Sequence, residues 1–138
     1  AFPSLEQLAN ASEEDFKELK TGFRAPYIMD AIRRNMAGQF DKNELKSMDY
    51  DSCIKELMII KGVGEKVANC VSLFVLGKKE AFPVDVWIKR IMETMYFDGV
   101  DTPKDKIAAF AKERFGELGG FAQQYLFYYG KTIKMGVK

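Results

Sequence analysis

The sequence contains no histidine and only two cysteines among its 138 residues. Histidine and cysteine supply most zinc and iron–sulfur ligands, so the chain offers no ligand set for either kind of centre. Cys53 and Cys70 lie among apolar residues in predicted helices, which indicates buried, reduced thiols rather than a disulfide framework. We therefore expect a reducing, intracellular location, either the cytoplasm or nucleoid of a bacterium or the nucleus of a eukaryote.

Long apolar runs are also absent, and no stretch approaches the roughly 20 residues that cross a bilayer. The N-terminus does not resemble a signal peptide, and we expect no membrane partner. Apolar residues make up 47% of the chain and charged residues 30%, a mixture typical of a folded globular domain. The chain opens AFPSLEQLA without an initiator methionine, so we expect residues 1–138 to be one domain of a longer protein.

The chain lacks an excess of charge of either sign, because its 21 Lys and Arg residues are nearly balanced by 20 Asp and Glu residues. The chain therefore has no global basic signature for nucleic acid. The local balance differs: residues 1–20 carry two basic groups against five acids, whereas residues 61–90 carry six against three. A phosphate-binding face is expected within residues 61–90, away from the N-terminal helices.

The apolar spacing is helical almost throughout, and no segment alternates over strand lengths. Ser4 and Ser12 predict helix N-caps, the latter in a capping box with Asp15. Pro26 fits a first helical turn, and Thr102 before Pro103 predicts another capped start. The predicted helices cover residues 5–10, 13–20, 26–37, 51–59, 65–76, 85–96, 103–115 and 119 or 120 to about 134. The expected fold class is all-α, a compact domain of seven or eight short helices.

Two glycines flank Val63 in the hairpin predicted over residues 51–76. Without Cβ atoms, Gly62 and Gly64 let backbone N–H groups approach an anion such as phosphate, although a tight turn without a ligand explains them as well. Lys66 follows in the first turn of the next helix, where the helix dipole favours a neutral, nucleophilic amine. The alternative is an ordinary surface lysine. Asp85 could stabilise the ammonium instead, or could simply cap a helix.

Five motifs, FPSLEQLA, GFRAPYI, GVGEKVANC, FPVDVW and FAQQYLF, follow one another across nearly the whole chain. In this order they resemble the helix-hairpin-helix DNA glycosylases, and within them the 8-oxoguanine DNA glycosylase/lyases. The resemblance implies double-stranded DNA containing 8-oxoguanine as the partner, a monomer, and an N-terminal domain outside this chain. Lys61 departs from the family because a proline is usual before Gly62, which should loosen the turn. Trp87 stands where a histidine is familiar.

The resemblance implies that Lys66 attacks C1′ of the damaged nucleotide, displaces the base and forms a Schiff base that permits β-elimination. Asp85 would stabilise positive charge on the sugar. The lesion would be flipped out of the duplex and held between Cys70 and Phe127, with Gln123 hydrogen-bonding its edge. Core packing is the alternative explanation of Cys70 and Phe127.

The remaining implied roles concern the DNA around the lesion. Phe23 would act as a wedge, and Arg24 would read the orphaned partner base. The hairpin residues that would contact phosphate are Lys61, Gly62, Val63 and Gly64. No cofactor is required, although the carbonyls of Met58, Ile60 and Val63 would hold a structural metal ion. Two alternatives remain, a non-catalytic helix-hairpin-helix module that binds duplex backbone and a helical interaction domain without nucleic acid.

Overall fold

The computed structural model of the protein describes residues 2–133. All regular structure within these residues is helical, which confirms the all-α fold class. The chain divides between Gly64 and Glu65 into two compact units. The assignment of residues 1–138 to one domain stays a prediction. No helix in the described range is long and apolar enough to cross a membrane.

Within the described residues, the first unit has five α-helices and one 3-10 turn. They are α1 (Leu5–Ala9), α2 (Glu13–Glu18), the 3-10 turn Gly22–Arg24, α3 (Ala25–Met36), α4 (Lys42–Ser47) and α5 (Tyr50–Leu57). The predicted caps are confirmed, since the Ser4 hydroxyl accepts the Gln7 N–H and the Ser12 hydroxyl accepts the Asp15 N–H. The side chains of Gln7 and Asp15 in turn accept the backbone N–H groups of Ser4 and Ser12, which completes two capping boxes.

The core of the first unit forms where α1 and α2 pack against α3. Phe16 of α2 is buried against Ala25, Met29 and Ile32 of α3. The three α3 residues recur at helical spacing, so they share one face of the helix. Pro26 lies in the first turn of α3 as predicted. This packing fixes α3, which also carries residues that contact the hairpin turn.

Helix α4 was not predicted from the sequence. Its N-cap is Asp41, whose carboxylate accepts the N–H groups of Asn43 and Glu44, both at 2.9 Å. Only Leu45 of this helix is buried. One buried residue in six leaves no periodic apolar pattern, so the Asp41 cap was the only usable signal.

The second unit, within the described residues, contains four α-helices and one 3-10 turn. They are α6 (Glu65–Phe74), α7 (Val86–Tyr96), α8 (Lys104–Phe115), the 3-10 turn Gly116–Leu118 and α9 (Gly119–Thr132). Helix boundaries agree with the predicted ones to within two residues, the usual uncertainty at fraying ends. The predicted end of α9 near residue 134 lies outside the described residues.

The core of the second unit joins α7, α8 and α9 with the loop before α7. Its buried members are Phe82, Val84, Ile88, Ile91, Met92, Ile107, Ala111 and Leu126. Two of them, Phe82 and Val84, belong to the loop, so this irregular segment is part of the core. The position of Asp85, directly after Val84, follows from that packing.

The prediction that Thr102 caps α8 is wrong. Pro103 is the cap residue, and the Thr102 hydroxyl donates to the Val100 carbonyl at 2.9 Å. The buried Thr102 N–H instead donates to a carboxylate oxygen of Glu93 at 2.7 Å. The turn before α8 is therefore bonded to α7, a long-range contact that a local capping pattern does not reveal.

Glu93 is also bonded to Lys89, which binds Asp101 as well. Hydrogen bonds to Asp101 and then to Glu93 raise the pKa of Lys89. The bond from Lys89 lowers the pKa of Asp101. Because the Asp101 side chain is 94% exposed, its ion pair contributes little to stability. Glu93, which is 9% exposed, is the structural member of the network.

We expect Glu93→Ala to lower the free energy of unfolding by about 1–3 kcal/mol, because the buried Thr102 N–H loses its acceptor. Urea denaturation of the two proteins measures the difference. The control is Glu113→Ala, which removes an exposed glutamate of α8 and should change stability by less than about 0.5 kcal/mol. Equal stability of the Glu93→Ala variant and the wild type would contradict this account of the turn.

Candidate active site and nucleic-acid interface

The hairpin turn, residues 58–64, follows α5 and precedes α6. Its two glycine positions differ in whether the backbone conformation and the packing require glycine there. Gly62 has a φ of +83°, and a Cβ there would lie 2.2 Å from Cδ2 of the Tyr27 ring. Gly64 has no such φ, and a Cβ there would meet nothing within 4 Å. Gly62 is therefore required by backbone conformation and packing, whereas the local structure does not require a glycine at residue 64.

Lys61 is tied to α3 through its backbone. Its N–H donates to Asp30 Oδ2 at 2.9 Å, and the same oxygen accepts Arg34 Nε at 2.9 Å. The bond from the Lys61 N–H, followed by that from Arg34, lowers the pKa of Asp30 below its usual value. A residue without a backbone N–H could not make this bond. The Asp30 contact therefore opposes the loosening of the turn that Lys61 was expected to cause.

Two backbone donors of the turn remain open. The Val63 N–H donates to the Ile60 carbonyl at 3.0 Å, so it is already satisfied. Within residues 2–133, the N–H groups of Gly62 and Gly64 have no hydrogen-bond acceptor. Because backbone donors are seldom left unpaired, these two are suited to an external acceptor or water.

The residues predicted to hold a metal ion lie in this turn. The carbonyl of Ile60 accepts the Val63 N–H, which uses one of its two lone pairs. The carbonyls of Met58 and Val63 accept no such turn bond from any residue between 2 and 133. Among the described residues, no group of three His, Cys, Asp or Glu side chains is arranged to hold a metal. Any cation here would be bound by main-chain oxygens.

Phe23 and Arg24 form an exposed pair in the 3-10 turn before α3. The Phe23 side chain is 71% exposed, and the Arg24 guanidinium carbon lies 4.7 Å from its ring centroid. Tyr27 contacts Phe23 edge-on, with centroids 6.3 Å apart. Tyr27 therefore touches both the exposed aromatic residue and Gly62 of the hairpin turn.

Lys66 and Cys70 lie one turn apart on α6. Lys66, the second residue of the helix, is exposed. Cys70 is half-buried rather than buried, so the prediction of two buried thiols is correct only for Cys53. Residues four apart share a helix face, and Lys66 and Cys70 are placed on one side of α6.

Asp85 is the N-cap of α7. Its Oδ1 accepts the Ile88 N–H at 2.8 Å, which confirms the cap that the sequence allowed. Its Oδ2 has no hydrogen-bond partner in the described part of the chain. The carboxylate is half-buried and lies at a helix end that favours negative charge. One oxygen is fixed by the helix while the other remains available.

Gln123 of α9 contacts the loop that precedes Asp85. Its Nε2 donates to the Pro83 carbonyl at 3.2 Å, and its Oε1 accepts from Gln124 at 2.6 Å. Gln123 is only 6% exposed. Phe127, one turn further along α9, is half-buried and packs against the core of the second unit. Core packing thus accounts for part of the Phe127 surface.

Gly119 and Gly120, which the sequence analysis did not single out, allow α9 to approach that loop. The Gly120 N–H donates to the Lys79 carbonyl at 2.7 Å. A Cβ on Gly120 would lie 2.9 Å from the same carbonyl oxygen, and one on Gly119 would lie 2.9 Å from the Glu80 oxygen. The Gly-Gly pair at a helix start was a usable signal for close backbone approach.

Trp87 lies in the first turn of α7 with its side chain 42% exposed. The Arg90 guanidinium carbon is 5.8 Å from its ring centroid, one turn along the same helix. The pair presents an aromatic face and a cation together, which suits stacking on a base or contact with phosphate.

The family model that describes HhH-GPD superfamily base excision DNA repair proteins matches residues 1–117. The chain belongs to this superfamily. A probable N-glycosylase/DNA lyase of Methanothermobacter thermautotrophicus is 39% identical, with 90% of this chain and 42% of that protein covered. An N-glycosylase/DNA lyase OGG1 of Arabidopsis thaliana is 33% identical, with coverage of 91% and 37%.

The HhH-GPD chain also matches a solved structure of Clostridium acetobutylicum 8-oxoguanine glycosylase/lyase in complex with double-stranded DNA containing cytosine opposite 8-oxoguanine. The identity is 42% and the TM-score 0.92, with 97% of this chain and 46% of that chain covered. These matches confirm the resemblance to the 8-oxoguanine glycosylase/lyases. The chain spans less than half the length of each of these relatives.

The two hairpin glycines should respond differently to substitution. We expect Gly62→Ala to lower the free energy of unfolding by more than about 1 kcal/mol, because a positive φ is strained for alanine and the Cβ meets the Tyr27 ring. Gly64→Ala should change it by less than about 0.5 kcal/mol. Thermal and urea denaturation measure both. Similar losses in the two variants would contradict the assigned difference.

Proposed function

We propose that the protein containing this chain removes 8-oxoguanine from duplex DNA and then cleaves the strand as an abasic-site lyase. The observation that carries the proposal is an exposed lysine, Lys66, in the first turn of the helix that directly follows a turn with open N–H groups. A backbone grip on phosphate and a nucleophile for the sugar are thus adjacent in the chain. The similarity to N-glycosylase/DNA lyases supports the reaction class.

The nucleophile in this proposal is the neutral amine of Lys66. It attacks C1′ of the damaged nucleotide, and the base departs with the electrons of the glycosidic bond. Loss of a proton from nitrogen and opening of the sugar ring give a Schiff base at C1′. Removal of a C2′ proton then expels the 3′ phosphate by β-elimination. The exposed position of Lys66 supports this role because the amine must reach a large external substrate.

Asp85 stabilises the positive charge that develops on the sugar as the base departs. Its N-cap bond through Oδ1 holds the carboxylate in one orientation, and Oδ2 faces the substrate. The charge acts without proton transfer in this step. The role is electrostatic, so the ionised form of Asp85 is the active one.

The target base is flipped out of the duplex, because C1′ chemistry at a stacked nucleotide is sterically blocked. In the proposed pocket Cys70 lies against one face of the purine and Phe127 against the other. Gln123 hydrogen-bonds the base edge, after exchanging its present bonds to Pro83 and Gln124 for bonds to the base. The half-buried state of Cys70 and Phe127 supports surfaces that still accept a ligand.

The duplex around the lesion is held by residues of the first unit. The Phe23 ring fills the space that the flipped base leaves, and Arg24 bonds to the partner cytosine. The exposure of Phe23 and its contact with the Arg24 guanidinium support this role because both side chains can reach an external duplex. The hairpin contacts a phosphate through the open N–H groups of Gly62 and Gly64, assisted by the Lys61 ammonium.

The hairpin carbonyls of Met58, Ile60 and Val63 supply oxygen atoms, the ligand type that hard cations bind. The ion would supply a positive charge between the turn and a DNA phosphate. The turn supplies only main-chain oxygens, and no step of the reaction passes through the ion.

Borohydride trapping tests the nucleophile. Reduction of the Schiff base should link the full-length protein covalently to a duplex containing 8-oxoguanine opposite cytosine. Lys66→Gln should abolish the trapped complex, because the amide cannot form a Schiff base, while Lys106→Gln, an exposed lysine of α8, should leave it unchanged. A trapped complex that survives Lys66→Gln would exclude Lys66 as the nucleophile.

Asp85→Asn separates the two functions of this residue. Asparagine is as good an N-cap as aspartate, so the free energy of unfolding should change by less than about 0.5 kcal/mol. The rate of base excision in single-turnover assays should fall by about 100-fold or more, because charge stabilisation is lost. An excision rate equal to that of the wild type would show that Asp85 only caps α7.

The alternative is a non-catalytic module that binds duplex backbone through the hairpin. It requires only the pair of open N–H groups at Gly62 and Gly64 and assigns no role to Lys66 or Asp85. Such a module would bind DNA in a salt-dependent manner without preference for the lesion. The absence of any trapped complex in the wild-type protein would favour it over the enzyme.

A further inference from the structure

Asp30 is the side chain of α3 that reaches the hairpin turn, although it is 31 residues distant from Lys61 in sequence. Its Oδ2 accepts both the Lys61 N–H and Arg34 Nε, each at 2.9 Å. The Asp30 side chain is 26% exposed and the Arg34 side chain 32%. A charged acceptor in a partly enclosed site makes a stronger bond than a neutral one.

Tyr27 provides a second contact from α3, one turn before Asp30. Its ring lies against the α-carbon of Gly62, where a Cβ would be 2.2 Å from Cδ2. Consecutive residues of the turn, Lys61 and Gly62, are thus held by residues i and i+3 of one helix face. The Asp30 hydrogen bond fixes the orientation of the Lys61 peptide. The Tyr27 ring limits how closely Gly62 can approach α3.

This restriction determines where the open donors point. If the Lys61 N–H lost its acceptor, the peptide units on either side of Gly62 would gain rotational freedom, and the directions of the Gly62 and Gly64 N–H groups would no longer be fixed. Ordering a flexible backbone residue on binding costs conformational entropy. A turn that is ordered before binding avoids that cost when the ligand arrives.

A carboxylate near a phosphate site would by itself repel the ligand. Here Arg34 pairs with the Asp30 carboxylate, and Lys61 brings a second cation into the same segment. The local charge of Asp30, Arg34 and Lys61 is therefore +1 rather than −1. Asp30 can order the backbone without making the turn unfavourable for an anion.

We propose that Asp30 is a positioning residue that orders the hairpin turn for binding a DNA phosphate, a role that rests on the function proposed above. Asp30 does not contact the DNA in this proposal. It acts through the Lys61 N–H, and its effect should appear in affinity rather than in the chemical step.

The test is the affinity of the full-length Lys66→Gln protein for a lesion duplex, measured by fluorescence anisotropy with Asp30→Ala and Asp30→Asn added. We expect Asp30→Ala to weaken binding about tenfold, since the bond to a charged acceptor is lost. Asp30→Asn, which keeps an acceptor, should weaken it less. The salt dependence of binding should keep its slope, because no phosphate contact is removed.

Two further measurements separate positioning from general stability. Hydrogen exchange of the Lys61 and Val63 amides, the two bonded N–H groups of the turn, should accelerate in Asp30→Ala. The single-turnover rate at saturating enzyme, measured with Lys66 restored, should remain within about twofold. The control is Ile32→Val, which removes one buried methylene group from the core of the first unit and leaves Asp30 and Tyr27 in place. It should leave both the affinity and the exchange of these two amides unchanged.

The outcomes distinguish this proposal from the one above. An Asp30→Ala protein that binds as tightly as its parent, or loses no more affinity than Ile32→Val, overturns the positioning role while trapping through Lys66 stands. A wild-type protein that binds no duplex overturns both. A tenfold loss with accelerated exchange at the turn supports the positioning role, whatever the trapping assay gives for Lys66.

Discussion

The hairpin turn depends on one steric constraint, because the Tyr27 ring occupies the space that a side chain on residue 62 would need. Gly62 can therefore adopt its positive φ and lie directly on α3. Because the turn lies this close to α3, the Lys61 N–H can also donate to Asp30. Close packing against Tyr27, together with the positive φ, is therefore what requires glycine at residue 62.

In the second unit, too, a glycine allows close approach between a helix and an irregular segment. Gly120 brings the start of α9 within hydrogen-bonding distance of the Lys79 carbonyl, and Gln123 bonds to Pro83 one turn later. The loop that ends at Asp85 is thus bonded to α9 by two main-chain acceptors, in addition to its buried Phe82 and Val84. Irregular backbone is tolerated because its polar groups are paired with a helix.

The fold class and most helices could be predicted because their signals are local. Ser4, Ser12 and Pro26 act within one turn of their own position, and the structure confirms them. Thr102 misled because its N–H is bonded to Glu93, nine residues away. The Asp30 contact and the approach of Gly120 are longer-range still, and residue type alone does not reveal the partner. Of the site, the sequence could nominate Lys66 and Asp85, and it left open whether Asp85 caps α7, which the structure shows.

Asp85 illustrates why a cap and a functional carboxylate need not be competing explanations. The cap uses Oδ1, and rotation of the side chain away from α7 would cost about 1 kcal/mol of helix stability. That cost biases the carboxylate toward one rotamer, so Oδ2 is oriented before any substrate arrives. A charge that must act on a transient cation is most effective when it does not reorganise during the reaction. In the proposed function, the helix end would therefore contribute to the chemistry through the same bond that makes Asp85 an ordinary cap.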